Sequence, residues 1–267
     1  MLKEKTNINK LPAIKKFAFL GNTKTFTKKL KYLAHIAEPE NWKYHNPKAG
    51  SDTDESIAVL YQYIINTFAK VEDEDKILMN ENHAILNTGL MTSNGEEIFM
   101  LFAKSNGNGP APWVFLSFFK ESAHEIPQVF RDKLPKHVDY FENCPEEAYF
   151  DPSLIILGNF DHIIEDNFER LPEALRTMPS DAIVTFLNAS KDVMQKRILR
   201  NNRLAVPQYY KKKIMYLVPL RFGEEVIPLA IEKHENTYRI NTILTTGMAY
   251  CNARLVMKPE SNWLKLD

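Results

Sequence analysis

Apolar residues recur at helical spacing through the first part of the chain. In "TKTFTKKLKYLAHIAE", Phe26, Leu30, Leu33 and Ala37 share one face and Pro39 closes the pattern, which predicts a helix. "SDTDESIAVLYQYIINTFAKVEDEDK" repeats the pattern through Ile57, Leu60, Ile64 and Phe68, with Ser or Asp caps and acids near its start. Between them "WKYHN" reads as a short extended piece. Two apolar runs around Asn80 to Asn82, in "KILMNENHAILNTGL", predict a hairpin. Two helices followed by a hairpin is the order of a winged-helix module. "SNGNGPAP" (105–112) is the clearest loop and the expected boundary, followed by "WVFLSFF" as an apolar strand or buried segment and then a Pro-rich, acidic irregular region. "NFDHIIEDNFERLP" predicts a helix from Phe160 to Leu171, stopped by Pro172. "PSDAIVTFLNASKDVMQKRILRNN" predicts the longest helix, capped by Ser180, with Ile183, Leu187, Met194 and Ile198 toward the core. Three strands, "KIMYLVPLRF", "VIPLAIEKH" and "TYRINTIL", with short turns between them, predict an antiparallel meander in which Pro228 favours an edge or a strand start.

The expected class is therefore α+β: an N-terminal helical part with a winged-helix-like hairpin, packed on a C-terminal part with an antiparallel meander and flanking helices. The expected divisions are a flexible basic tail over 1–16, a helical and hairpin subdomain over 17–104 and an α+β subdomain over 105–267.

Composition narrows the class without naming a function. The chain has 267 residues, 44% hydrophobic and 25% charged, which is ordinary for a globular protein. No run approaches the ~18 apolar residues of a membrane span, and "MLKEKTNINK" lacks the apolar core of a signal peptide. The expectation is a cytoplasmic protein with no membrane partner. Cys144 and Cys251 lie far apart, forming neither a metal-type pair nor a disulfide framework. The formal net charge of zero conceals segregation. From Val193 to Gly223 there is no Asp or Glu, yet the stretch holds Lys196, Arg197, Arg200, Arg203, Lys211, Lys212, Lys213 and Arg221. From Asp139 to Glu173 acids dominate, against the single Arg170. Either the basic face meets an anionic partner, or the two segments pair with each other.

Polar clusters supply the candidate chemistry. "TILTTGMAYCNARL" (242–255) reads as a strand passing through Thr-Thr-Gly into a helix that begins at Met248. Backbone N–H groups at such a start, backed by the helix dipole, could seat a phosphate. Spacings of three and four put Met248, Cys251 and Leu255 on a core face and Tyr250 and Arg254 on an exposed one, beside Asn252. The alternative is a solvated edge whose Arg254 pairs with the acidic segment. Around "VPQYYKKK", Arg203 and Lys211 could neutralise phosphates while Gln208, Tyr209 and Tyr210 offer polar and stacking contacts to bases. For Lys196, Arg197 and Arg200 alone, complementing the helix dipole is explanation enough. In "DHIIEDNFER", His162 and Asp166 stand at i,i+4 with Glu169 at i+7, a face that could work as general base or, with Asp151, hold a metal such as Mg²⁺. A solvated face is the plainer reading. Lys120, at the end of "WVFLSFFK", stands where strand ends often line sites. No HExxH, P-loop, CxxC or GxSxG pattern occurs.

Taken in order, "AEPENWKY", "NTGLMT" with "GEEIFMLF", "PWVFLSFFKES", "DHIIEDNFERLP", "AVPQYY" and "TILTTGMAYCNARLVMKPESNWL" resemble the domain-of-unknown-function family 3825, over about residues 17 to 264. The resemblance implies one module, found in relatives beside cold-shock and LOTUS-type modules, and hence work on RNA or nucleotides. It brings no reaction with it. Relatives often carry an acidic residue where Gly247 stands, so the resemblance gives that position no catalytic role. The expectation is an RNA- or nucleotide-binding protein. Arg254, Asn252, Tyr250, Gln208, Tyr209, Arg203 and Lys211 are its binding candidates. His162, Asp166 and Lys120 are the candidates for phosphodiester or phosphoanhydride hydrolysis, with Mg²⁺ at Asp166 and Asp151. A non-catalytic RNA or protein interaction module is the rival reading, and a small-molecule enzyme the third.

Overall fold

The computed structural model describes residues 11–45, 54–107 and 111–266. The chain forms two compact units, Met1–Asp139 and Tyr140–Asp267, and is α+β in class. The unit boundary therefore falls later than the glycine-rich loop. That loop joins two partners of one sheet, and Ser105 N–H donates to Pro112 O across it at 2.9 Å. The expected tail over 1–16 lies outside the described residues up to residue 10. From there it is a helical turn, α1 (Ala13–Phe17), with Ile14 fully buried.

In the first unit α2 (Thr23–Ile36) starts at Asn22, whose side chain accepts from Thr25 N–H at 2.9 Å, and buries Phe26, Leu30 and Leu33 as their spacing predicts. The next helix, α3 (Ala58–Asp73), buries Leu60, Ile64 and Phe68 in the same way. The strands are β1 (Ala18–Phe19), β2 (Leu78–Met79), β3 (His83–Met91), β4 (Glu97–Lys104) and β5 (Trp113–Lys120). They form a five-stranded sheet in the order β1-β5-β4-β3-β2, antiparallel except for β1 against β5. The predicted hairpin at Asn80 exists, with the Asn80 carboxamide oxygen accepting from Asn82 and His83 N–H. It is no terminal wing, because β3 goes on to pair with β4, and β4 with β5. Phe17, Phe68, Phe102, Phe115 and Phe118 interlock at ring-centroid distances of 5.0–6.4 Å. Ile85, Phe99 and Leu101 pack instead on Ile126 and on Phe130 of the short α4 (Gln128–Arg131). Asn87 and Thr88 are latches inside this core: Asn87 donates to Pro135 O at 3.2 Å and Thr88 to Ile98 O at 2.6 Å.

In the second unit β6 (Ile155–Leu157), β7 (Val206–Tyr210), β8 (Lys213–Phe222), β9 (Glu225–His234) and β10 (Thr237–Ile243) form a sheet in the order β6-β10-β9-β8-β7. The predicted meander is β8, β9 and β10. One face carries Tyr216, Val218, Leu220, Leu229, Ile231, Tyr238 and Ile240 and packs against α5 (Phe160–Asn167), α6 (Glu173–Arg176) and α7 (Ser180–Ile198). Ile183, Leu187, Met194 and Ile198 of α7 are buried as expected, while the cap position falls on Pro179 and Ser180 is the first helical residue. The helix predicted from Phe160 to Leu171 tightens after Asn167 into a 3-10 turn, Phe168–Arg170.

Pro228 lies on β9, an interior strand, not an edge. It faces Pro219 of β8 directly. Its carbonyl accepts from Leu244 N–H at 2.9 Å, so its donor side points where the ladder with β10 ends. The ring therefore removes no interior ladder bond.

Candidate nucleic-acid interface

Past Ile243 the chain turns into α8 (Thr246–Val256), with Thr245 as N-cap accepting from Met248 N–H at 3.3 Å. This helix packs on β7 and β9. Its buried stripe differs from the predicted one. Ala249, Tyr250, Ala253, Arg254 and Leu255 are buried, whereas Met248 and Cys251 are half-buried. Ala249 and Ala253, four apart, let the helix approach the sheet closely and carry Tyr250 and Arg254 inward beside them. Burial pushes the Cys251 thiol up to about 12, so it stays a thiol at neutral pH. Asn252 Nδ2 donates to Gln208 Oε1 at 2.9 Å, and Gln208 is 1% exposed. That bond ties α8 to β7. Asn252→Ala would strip Gln208 of this partner and should cost about 1–3 kcal/mol in chemical denaturation. Tyr209 points to the other side of the strand and packs edge-on against Tyr140 at 4.9 Å.

The basic stretch borders β7 at both ends. Lys196 and Arg197 end α7, Arg200 and Arg203 precede β7, and Lys211 turns away from it. These residues and Arg221 are exposed, and among the described residues none of them makes an ion pair. Arg200 only caps its own helix, donating to Lys196 O at 2.7 Å. Lys211 lies over the Tyr210 ring at 5.4 Å. Mutual neutralisation by the acidic segment does not account for these cations. Arg170, the lone cation of that segment, donates to Ile243 O at 2.7 Å and to Thr242 Oγ1 at 3.1 Å, latching the end of α5 to β10.

Sheet register gathers a further set. Tyr210 stands opposite Lys213, His234 opposite Thr237, and Thr237 opposite Ile155. Tyr216, opposite Ile231, belongs to the core face, so by alternation Lys213, Glu232 and His234 share the reverse face with Gln208 and Arg239. α8 covers Gln208 on that face, while Tyr210, Lys213, His234, Arg239 and Ile155 are exposed. A groove of about 550 Å³ runs there, lined by Lys213, Glu232, Lys233, His234, Glu235 and Arg239 among others. Hydrogen bonds from Lys213 (2.6 Å) and Asn241 (2.9 Å) hold the Glu232 carboxyl below its usual range.

The hydrolytic candidates fall in both units. His162 and Asp166 are exposed on α5, and His162 Nδ1 lies 3.6 Å from Glu165, one turn on. Glu169 pairs with Arg176 at 3.3 Å. Asp151 accepts from the backbone and hydroxyl of Ser153, bonds that lower its carboxyl pKa. Among the described residues no group of three or more His, Cys, Asp or Glu side chains is placed to hold a metal. Lys120 belongs to the other unit, 4.0 Å from Glu96, in a depression of about 280 Å³ with His35, Thr92 and Asn94.

Residues 33–263 match the family described as domain of unknown function DUF3825. The chain belongs to this family. No curated protein and no solved structure matches it significantly. The DUF3825 match runs across both units and takes in every strand of the two sheets except β1. No helix among the described residues is long and apolar enough to cross a membrane. Within this DUF3825 chain, sequence reasoning named Gln208, Asn252, Arg203 and Lys211 but passed over Glu232, His234 and Arg239. Only the alternation of Arg239 with Tyr238 and Ile240 in "TYRIN" carries a local hint, and "AIEKH" carries none.

Proposed function

We propose that this DUF3825 protein binds RNA or nucleotides through the cationic stretch that flanks β7. One observation carries the reading: Lys196, Arg197, Arg200, Arg203, Lys211 and Arg221 are exposed and make no ion pair among the described residues, although acids crowd the same unit. Charges left unspent inside the fold remain available to phosphates, and displacing condensed counterions then supplies the binding free energy. Binding is the primary activity in this reading, since it needs no more than the exposed cations. Two widely separated cysteines, Cys144 and Cys251, fit a cytoplasmic setting.

The test is a titration of the full chain with labelled single-stranded RNA at stepped salt, with and without Mg²⁺. Log K should fall linearly with log salt, by about 0.7 for each phosphate contacted. Turnover that needs Mg²⁺ and is lost in His162→Ala or Asp166→Ala would add a hydrolase to the binder. Absence of binding at low salt ends the proposal.

A further inference from the structure

The second sheet leaves part of one face uncovered, and the side chains there are of an unusual kind for an open sheet. Tyr210, on edge strand β7, is 49% exposed, and Ile155 and Leu157, on the opposite edge strand β6, are 58% and 48% exposed. Between them lie Lys213, His234 and Arg239. Five strands about 4.8 Å apart set Tyr210 roughly 19 Å from Ile155 across the sheet. A tyrosine ring and exposed aliphatic side chains offer flat apolar contact, and Arg239 between them offers charge for a backbone. Glu232 takes up the charge of Lys213 at 2.6 Å and lies 3.7 Å from His234, whereas Arg239 makes no ion pair among the described residues and keeps its charge available. The remaining acid lining the groove, Glu235, sits in the β9–β10 turn with Asn236, against Lys233, His234 and Arg239.

We infer that this open face, from Tyr210 to Ile155, is a platform for single-stranded RNA, on which bases stack against Tyr210 and the β6 aliphatics while Arg239 meets a phosphate. The inference rests on the RNA reading above and specifies the form of RNA and where its bases lie. Two features favour a single strand. A duplex hides its base faces, whereas every unpaired base presents a π-face to an exposed ring. The face is also contiguous with the unpaired cations, since Lys211 follows Tyr210 directly and lies over its ring. A strand leaving the platform at β7 runs straight onto them.

The experiment compares a labelled unstructured oligoribonucleotide with a duplex of the same length, each titrated against the full chain and against Tyr210→Ala and Arg239→Ala. Both substitutions are at exposed positions. Each should weaken single-strand binding by about 5-fold to 100-fold, the range set by one lost base stack or one buried-phosphate contact. Duplex binding should change less than about 2-fold. A 2-aminopurine in the single strand should be quenched by the unaltered protein and not by Tyr210→Ala. If both variants bind the single strand as the unaltered protein does, the platform is refuted and the cationic reading stands. If the unaltered protein binds neither RNA, the cationic reading is itself refuted.

Discussion

Replacing Arg197, Arg200, Arg203 and Lys211 together by glutamine should weaken RNA binding by at least about 100-fold at moderate salt and flatten the salt dependence by about three. The two readouts must move together. A loss of affinity with an unchanged slope would mean that the substitutions damaged the fold, not the phosphate contacts. All of these side chains are exposed and none is in an ion pair among the described residues, so far-UV circular dichroism and the denaturation midpoint should stay as they are. Unaltered binding in the fourfold variant would remove the cationic stretch from the interface.

Tyr238→Ala should destabilise the second unit by about 3–5 kcal/mol, as other large-to-small aromatic changes in cores do. Tyr238 is completely buried, stacks on Phe150 at 4.4 Å and meets Tyr216 edge-on at 5.7 Å. Its hydroxyl accepts from Asp151 N–H at 2.9 Å, and Tyr216 donates to Glu147 O and Tyr149 O at 2.8 and 3.0 Å. The two phenols thus pin the segment leading into β6. Burial raises both phenol pKa values, so neither hydroxyl ionises under ordinary conditions. Tyr238→Phe separates the contributions: it keeps the ring and should cost only about 1 kcal/mol for the lost hydrogen bond. Denaturant titration followed by tyrosine and tryptophan fluorescence reads both. Equal losses in the two variants would show that the hydroxyl, not the ring, holds the site.

The parts of this fold legible in the sequence are those whose signal is local. Leu30, Leu33, Leu60 and Ile64 recur at the helical period and are buried, because an amphipathic helix writes its core face into consecutive turns. The meander was legible for the same reason, since its turns are short. Pairing between distant segments was not. Nothing near "SNGNGPAP" announces that the strands on either side belong to one sheet, and a glycine-rich loop serves a hairpin as well as a domain boundary. The orientation of α8 does not follow from the period of its large apolar residues, because the close approach is made by Ala249 and Ala253. At the candidate interface the cationic stretch was visible as composition. Lys213, Glu232, His234 and Arg239 were not visible as a group, since strand register alone brings them together.

The facing prolines of β8 and β9 bear on that register. A one-residue slip of either strand would turn its faces over and point a proline nitrogen at its neighbour, where the ladder requires a donor. Neither Pro219 nor Pro228 can supply one. Slippage is therefore blocked in the middle of the sheet, and Lys213 and His234 cannot exchange places with the buried residues beside them. A pair of residues with no polar side chain and no contact with any ligand would in this way decide which side of the sheet is charged.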